Sequence, residues 1–102
     1  MAFWTQPFMD RMRNEWLRRL VKFQYKANNV WYDTVITDKR IVGNTLRITT
    51  VTTDSAALTI TSVRVIDISG EVVGERSENI VKSATQGVLT LWEFPLYELV
   101  EG

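Results

Sequence analysis

Apolar positions recur near the start of the chain at spacings of three, four and four: Met9, Met12, Trp16 and Leu20. At about 100° per residue they share one stripe, with Arg11, Asn14, Arg18 and Lys22 on the opposite side. This predicts an amphipathic helix over 6–20. Thr5 or Gln6 is placed to cap it, and Pro7 falls in the first turn, where its missing N–H costs nothing. Asp10 lies near the positive end of the helix, and Arg18 and Arg19 near the negative end, as the macrodipole favours.

The period then changes from 3.6 to 2. Val21, Phe23 and Tyr25 alternate with Lys22, Gln24 and Lys26, which predicts a strand in preference to a longer helix. Turn signals follow at short intervals. Asn28-Asn29 and Gly43-Asn44 suit the left-handed backbone of tight hairpins. Asp54-Ser55 and Ser69-Gly70 mark two further turns. The run Val88 to Phe94 is apolar on both faces, as a central buried strand reads. Pro95, which cannot donate to a ladder, marks an edge, a bulge or the strand's end. Residues 46–51 (Leu-Arg-Ile-Thr-Thr-Val) echo residues 58–63 (Leu-Thr-Ile-Thr-Ser-Val). In both, the closing Val is out of phase with Leu and Ile, as if two neighbouring strands bent together. Six to eight short strands after one helix predict a mainly β chain. The expected architecture is an N-terminal amphipathic helix followed by an antiparallel β-sandwich or small barrel. It forms a single domain over 1–102, helical over 1–20 and β-rich over 21–102.

Composition supports this reading. Twelve Thr, twelve Val and seven Ile suit a pleated, half-buried surface. The chain has no Cys and no His. Disulfide frameworks, zinc–thiolate sites and haem attachment are thereby excluded, along with the usual neutral-pH acid/base. No apolar run approaches the ~18–20 residues of a membrane span, and the first residues do not read as a signal peptide. A cytoplasmic location is expected, or a virion-associated one.

Candidate chemistry is sparse. Acid/base work would fall to Asp33, Asp38, Asp54, Asp67, Glu71, Glu75 or Glu78, none of which stands in a catalytic spacing. Asp67-Ile-Ser-Gly-Glu71 reads as a turn with acidic shoulders rather than a calcium loop. No catalytic residue, cofactor or metal is expected. Among the aromatics, Trp16 and Trp92 read as core, while Trp4, Trp31 and Tyr32 are freer. Trp31 and Tyr32 are the candidates for a stacking platform for sugars or other ligands.

Charge is more informative. Residues 1–26 carry six basic and two acidic residues, a net +4, and residues 27–102 carry six and ten, a net −4. A basic helix of this kind contacts nucleic acid, an anionic membrane surface or an acidic protein. A neutral chain lacks the broad basic field of a nucleic-acid binder, so a protein partner or self-association ranks first. Head-to-tail contacts between copies would pair Arg11, Arg18 and Lys22 with Glu93, Glu98 and Glu101. The simpler alternative is that the helix packs its Met/Trp stripe on its own sheet.

A short helical N-terminus, a Thr/Val-rich β body and no catalytic residues together resemble, in general character, the small β-rich accessory and structural proteins of bacterial phages and prophages. The resemblance implies a role in virion assembly or a prophage-encoded interaction. The expected function is a non-enzymatic interaction or assembly module. The alternatives are a carbohydrate- or ligand-binding β-module and a nucleic-acid or membrane contact through the helix.

Overall fold

The computed structural model describes residues 3–52, 56–84 and 87–97. One helix, α1 (Gln6–Arg19), precedes seven strands: β1 (Leu20–Ala27), β2 (Val30–Asp33), β3 (Val35–Val42), β4 (Thr45–Val51), β5 (Leu58–Asp67), β6 (Val72–Lys82) and β7 (Leu89–Pro95). They form a four-stranded sheet in the order β2-β1-β5-β6 and a three-stranded sheet in the order β3-β4-β7, every pairing antiparallel. The sheets do not close into a barrel, so the architecture is that of a β-sandwich.

Local chemistry explains most boundaries. Thr5 precedes the first helical turn with extended backbone, and Pro7 sits within that turn. Helix passes to strand at Leu20, where the helical stripe gives way to alternation. Val21 is an extra residue in β1, and the register shifts between Leu20 and Lys22. That bulge lets Leu20 and Phe23, three residues apart, both face the core. Asn28 (φ 54°) and Asn29 (φ 62°) make a two-residue turn between Ala27 and Val30, the left-handed pair that matches strand twist. Gly43 (φ 62°) serves the β3–β4 hairpin and Gly70 (φ 89°) the β5–β6 turn. Asp54-Ser55 lies outside the described residues.

Strands β2 and β3 are separated by Thr34 alone, whose N–H donates to the Phe23 carbonyl. The almost continuous strand 30–42 therefore leaves one sheet and enters the other, joining them along one side. The core lies between the sheets near the helix: Leu20, Phe23, Leu46 and Ile48, with Leu17, Val65, Trp92 and Phe94 against them. Phe23 and Trp92 meet across the sandwich at 5.1 Å.

Three expectations are corrected here. The final strand is not central: β7 is the edge of the smaller sheet, with Leu89 70% and Leu91 47% exposed. Its doubly apolar pattern reflects an uncovered outer face, not burial on both sides. The Met/Trp stripe does not pack on the sheet. Trp16 is 50% exposed and Met12 is exposed, while Arg13 (6%) and the half-buried Leu17 face the body. The helix is thus turned so that its arginine, not its tryptophan, lies underneath. Lastly, the repeated hexapeptides do not bend together. In β5, Ile60 and Val65 both reach the interior across a register shift. Strand β4 keeps strict alternation through Leu46, Ile48 and Thr50, and the two strands belong to different sheets.

Candidate interaction surface

Apart from Arg11, the cations of the helix and its C-terminal end find partners within their own chain. Arg13 Nε donates to the Leu96 carbonyl at 2.9 Å, and its Nη1 meets Asp10 at 3.3 Å. Glu15 receives Arg18 at 2.7 Å and Arg19 at 2.9 Å. The Arg18 hydrogen bond, with Arg19 beside it, holds the Glu15 carboxyl below its ordinary pKa. Arg19 also approaches Asp67 at 3.8 Å, and Lys22 approaches Asp33 at 3.7 Å. Arg11 has no ion pair among the described residues. Glu93 faces Arg47 across the β4–β7 ladder at 3.7 Å. Glu98 and Glu101 lie outside the described residues. Arg18 and Lys22, proposed to dock on a neighbouring copy, already hold carboxylates of their own subunit. The electrostatic case for a basic docking arm therefore weakens: such exposed pairs are worth little each, yet they cancel the field that would steer a partner.

Trp31 and Tyr32 are adjacent on a strand, so they project to opposite faces of the sheet. The Arg64 guanidinium lies over the Trp31 ring at 4.0 Å, with Lys26 at 5.7 Å. Tyr32 stacks on Tyr25 at 5.4 Å. The two rings do not share a face, and the Trp31 face under Arg64 is occupied.

A different surface emerges on the side of the sandwich opposite the β2–β3 crossing. There the edges β6 and β7 are not hydrogen-bonded to each other. The four-stranded sheet extends one strand further than the three-stranded sheet beneath it, and an open seam follows the free edge of β7. Near the helix it is a groove of about 410 Å³ lined by Trp16, Leu20, Val65, Val73 and Phe94, with Arg19 and Asp67 at its rim. Further along it continues as a groove of about 220 Å³ between Val63, Gly74, Arg76 and Trp92. Arg76 spans the seam, its guanidinium 4.9 Å from the Trp92 ring. At Gly74 an added Cβ would stand 3.0 Å from Val65 Cγ1, so the valine would have to give way.

The backbone along this seam has no ladder partner on one side. Thr52 N–H donates to the Val88 carbonyl, and Leu96 N–H to that of Asn44. Val88 and Leu96 thus face β4. By the alternation of an antiparallel ladder, Leu89, Leu91 and Glu93 turn their N–H and C=O groups outward. The sequence reading did not find this surface. One signal was present: Glu93 is the single charged residue of β7, and Pro95 ends it, as a proline does at a sheet edge.

Two further polar residues are structural. Lys82 is 1% exposed, and its ammonium donates to the Ala56 carbonyl at 2.7 Å and the Ser83 carbonyl at 3.1 Å. Asp67 accepts from the Ser69 hydroxyl and backbone N–H and from Glu71 N–H, locking the β5–β6 turn. These hydrogen bonds, the Ser69 hydroxyl first, hold the Asp67 carboxyl below its ordinary pKa. Among the described residues no group of three or more Asp or Glu side chains is placed to hold a metal ion, and no helix is long and apolar enough to cross a membrane.

No protein-family model, curated protein or solved structure matches this chain.

Proposed function

We propose that this protein is a non-enzymatic interaction module that associates with another polypeptide along the β6–β7 seam. The carrying observation is the free edge of β7, whose outward backbone groups border an apolar groove. Pairing with an extended strand supplies both what the backbone lacks and cover for the groove, the mode known as strand addition. Apolar exposure supports the same reading. Among the described residues seven hydrophobic side chains are buried, whereas fifteen large ones are exposed, including Val72, Val73, Leu89 and Leu91 beside the seam. Such exposure is expected of a surface covered in use. Assembly into a phage particle, the role implied by the resemblance in character, belongs to this proposal. Neighbouring genes for capsid, portal and tail proteins would support that part, and a gene neighbourhood of metabolic enzymes would count against it.

The test is site-specific photo-cross-linking in the native host. A photoreactive residue at Leu91 is expected to give more protein adducts than the same residue at Thr37, exposed on β3 at the opposite edge of the same sheet. Equal yields at the two positions would remove the support for the seam as an interaction surface.

A further inference from the structure

We infer that the partner along the seam is a second copy of this chain, in a two-fold dimer where β7 of each copy pairs with β6 of the other. This rests on the interaction reading above and adds to it the identity and geometry of the partner. The first argument is strand count. One sheet has four strands and the other three, and both end at the seam. A two-fold axis parallel to the strands exchanges the layers. The four-stranded sheet of one copy then continues into the three-stranded sheet of the other, giving two sheets of seven strands, one over the other. Joining β7 to β7 of a second copy instead would require eight strands to lie over six.

Strand direction is the second argument. Every pairing is antiparallel, and β2 and β3 run on in one direction through Thr34. Counting outward from β2–β3, β6 and β7 run in opposite senses. A two-fold parallel to the strands preserves direction, so β6 of the second copy arrives antiparallel to β7, ready for an ordinary ladder.

Backbone polarity supplies the third. Phe23 C=O accepts from Thr34, so Phe23 faces β2. By alternation Lys22 and Gln24 face β5, their partners Ile66 and Arg64 face β1, and Val65 and Val63 face β6. The partners of those two, Gly74 and Arg76, face inward along the sheet, leaving Glu75 and Ser77 with outward N–H and C=O groups. Both edges of the proposed ladder therefore carry unused groups.

Neither area nor charge stands against this arrangement. The chain exposes 6749 Å², whereas a monomer of its mass is expected to expose about 5,900 Å². The excess belongs to the open shape of the whole chain, of which the uncovered seam is one part. Along the seam Arg19 stands 3.8 Å from Asp67 and Arg76 pairs with Glu78, so its charges are balanced within the chain and do not repel a second copy. The β2 edge, at four residues, is too short for a long ladder.

The test is sedimentation of the full chain, with two edge variants, alone and mixed. The wild type is expected at twice the 11.8 kDa chain mass. Leu91→Pro and Ser77→Pro each remove one outward N–H, and each damages both seams of its own homodimer. Either is expected to weaken dimerisation by roughly tenfold or more. Mixing them leaves one seam intact in the heterodimer and is expected to restore association in part. Circular dichroism verifies that both fold. Should either fail to fold, Leu91→Lys and Ser77→Lys replace them, charging the same edges without removing a donor. A wild type monomeric at every concentration would overturn the inference, as would a Ser77 variant that dimerises normally or a mixture that regains nothing. A monomer whose position 91 still cross-links to a foreign protein in the host would sink the dimer and leave the interaction reading standing.

Discussion

Arg13 shows how much one buried polar residue organises here. Its guanidinium hydrogen-bonds α1 to the segment that follows β7, through the Leu96 carbonyl. Removing a charged donor from a buried acceptor costs about 1.5–3 kcal/mol. Arg13→Met, which keeps the stem volume, is expected to lose that amount in urea denaturation. Arg13→Lys should not restore it, because an ammonium cannot reach Leu96 and Asp10 with the same fork. Asp67 gives a pH signature. Its folded pKa lies below the ordinary 3.8 because of the Ser69 and Glu71 hydrogen bonds. The depressed value means its contribution to stability is present above 3.8 and disappears as pH falls through the folded pKa. The melting temperature of Asp67→Asn is therefore expected to trail wild type at neutral pH and to converge on it in acid, and thermal melts across pH measure this. At the first hairpin, Asn28 and Asn29 hold positive φ. Asn28→Val is expected to cost about 1–2 kcal/mol, since a β-branched residue is strained there. These turns were legible from residue type alone, because few residues tolerate a left-handed backbone. Arg13 was not: nothing in the spacing of a helix distinguishes a solvated arginine from one folded underneath.

For elements, the strongest contrast is between Trp16 and Leu20, which share the same helical stripe. Leu20→Ala is expected to cost about 2–5 kcal/mol, because Leu20 lies in the core cluster. Trp16→Gln is expected to cost less than Leu20→Ala in the isolated chain, because half of Trp16 is already in water. Periodicity identified the helix and its stripe but not the rotation of that stripe against the body. A 14-residue helix bearing apolar groups over a wide arc can settle on either flank, and the Arg13–Leu96 contact selects one. The same ambiguity governed β7. An apolar alternation on both faces describes a strand covered twice within its chain, or one left bare for another chain. Lys39, half-buried on edge strand β3, has its ammonium pKa lowered by burial, and inward-leaning charge of this kind deters edge pairing. The β7 edge carries no such device.

The molecule as a whole is extended. Its radius of gyration is 16.0 Å, against about 13 Å for a compact chain of this length. The four-over-three arrangement leaves one flank open, and that flank, rather than the arginine-bearing helix face, brings two unpaired strand edges beside an apolar groove. A contact built from backbone ladders and apolar burial is insensitive to ionic strength, unlike one built from exposed ion pairs. Association in sedimentation is therefore expected to persist at ~1 M salt, where Debye screening confines charge effects to about 3 Å. Dissociation there would return weight to the helix cations and to Glu93.

Residue order alone was enough for the helix, the change of period at Leu20, the two-residue hairpins and the mainly β sandwich. Each of these depends on neighbours within a few positions: 3.6 or 2 residues per repeat, and side chains that permit positive φ. Which helix flank turns inward, that Trp31 and Tyr32 are divided between faces, that most N-terminal cations pair within the chain, and that β7 is an edge all emerged only from long-range packing. Burial and edge position depend on which strands lie alongside one another, and pairings between residues forty positions apart leave no mark on local periodicity.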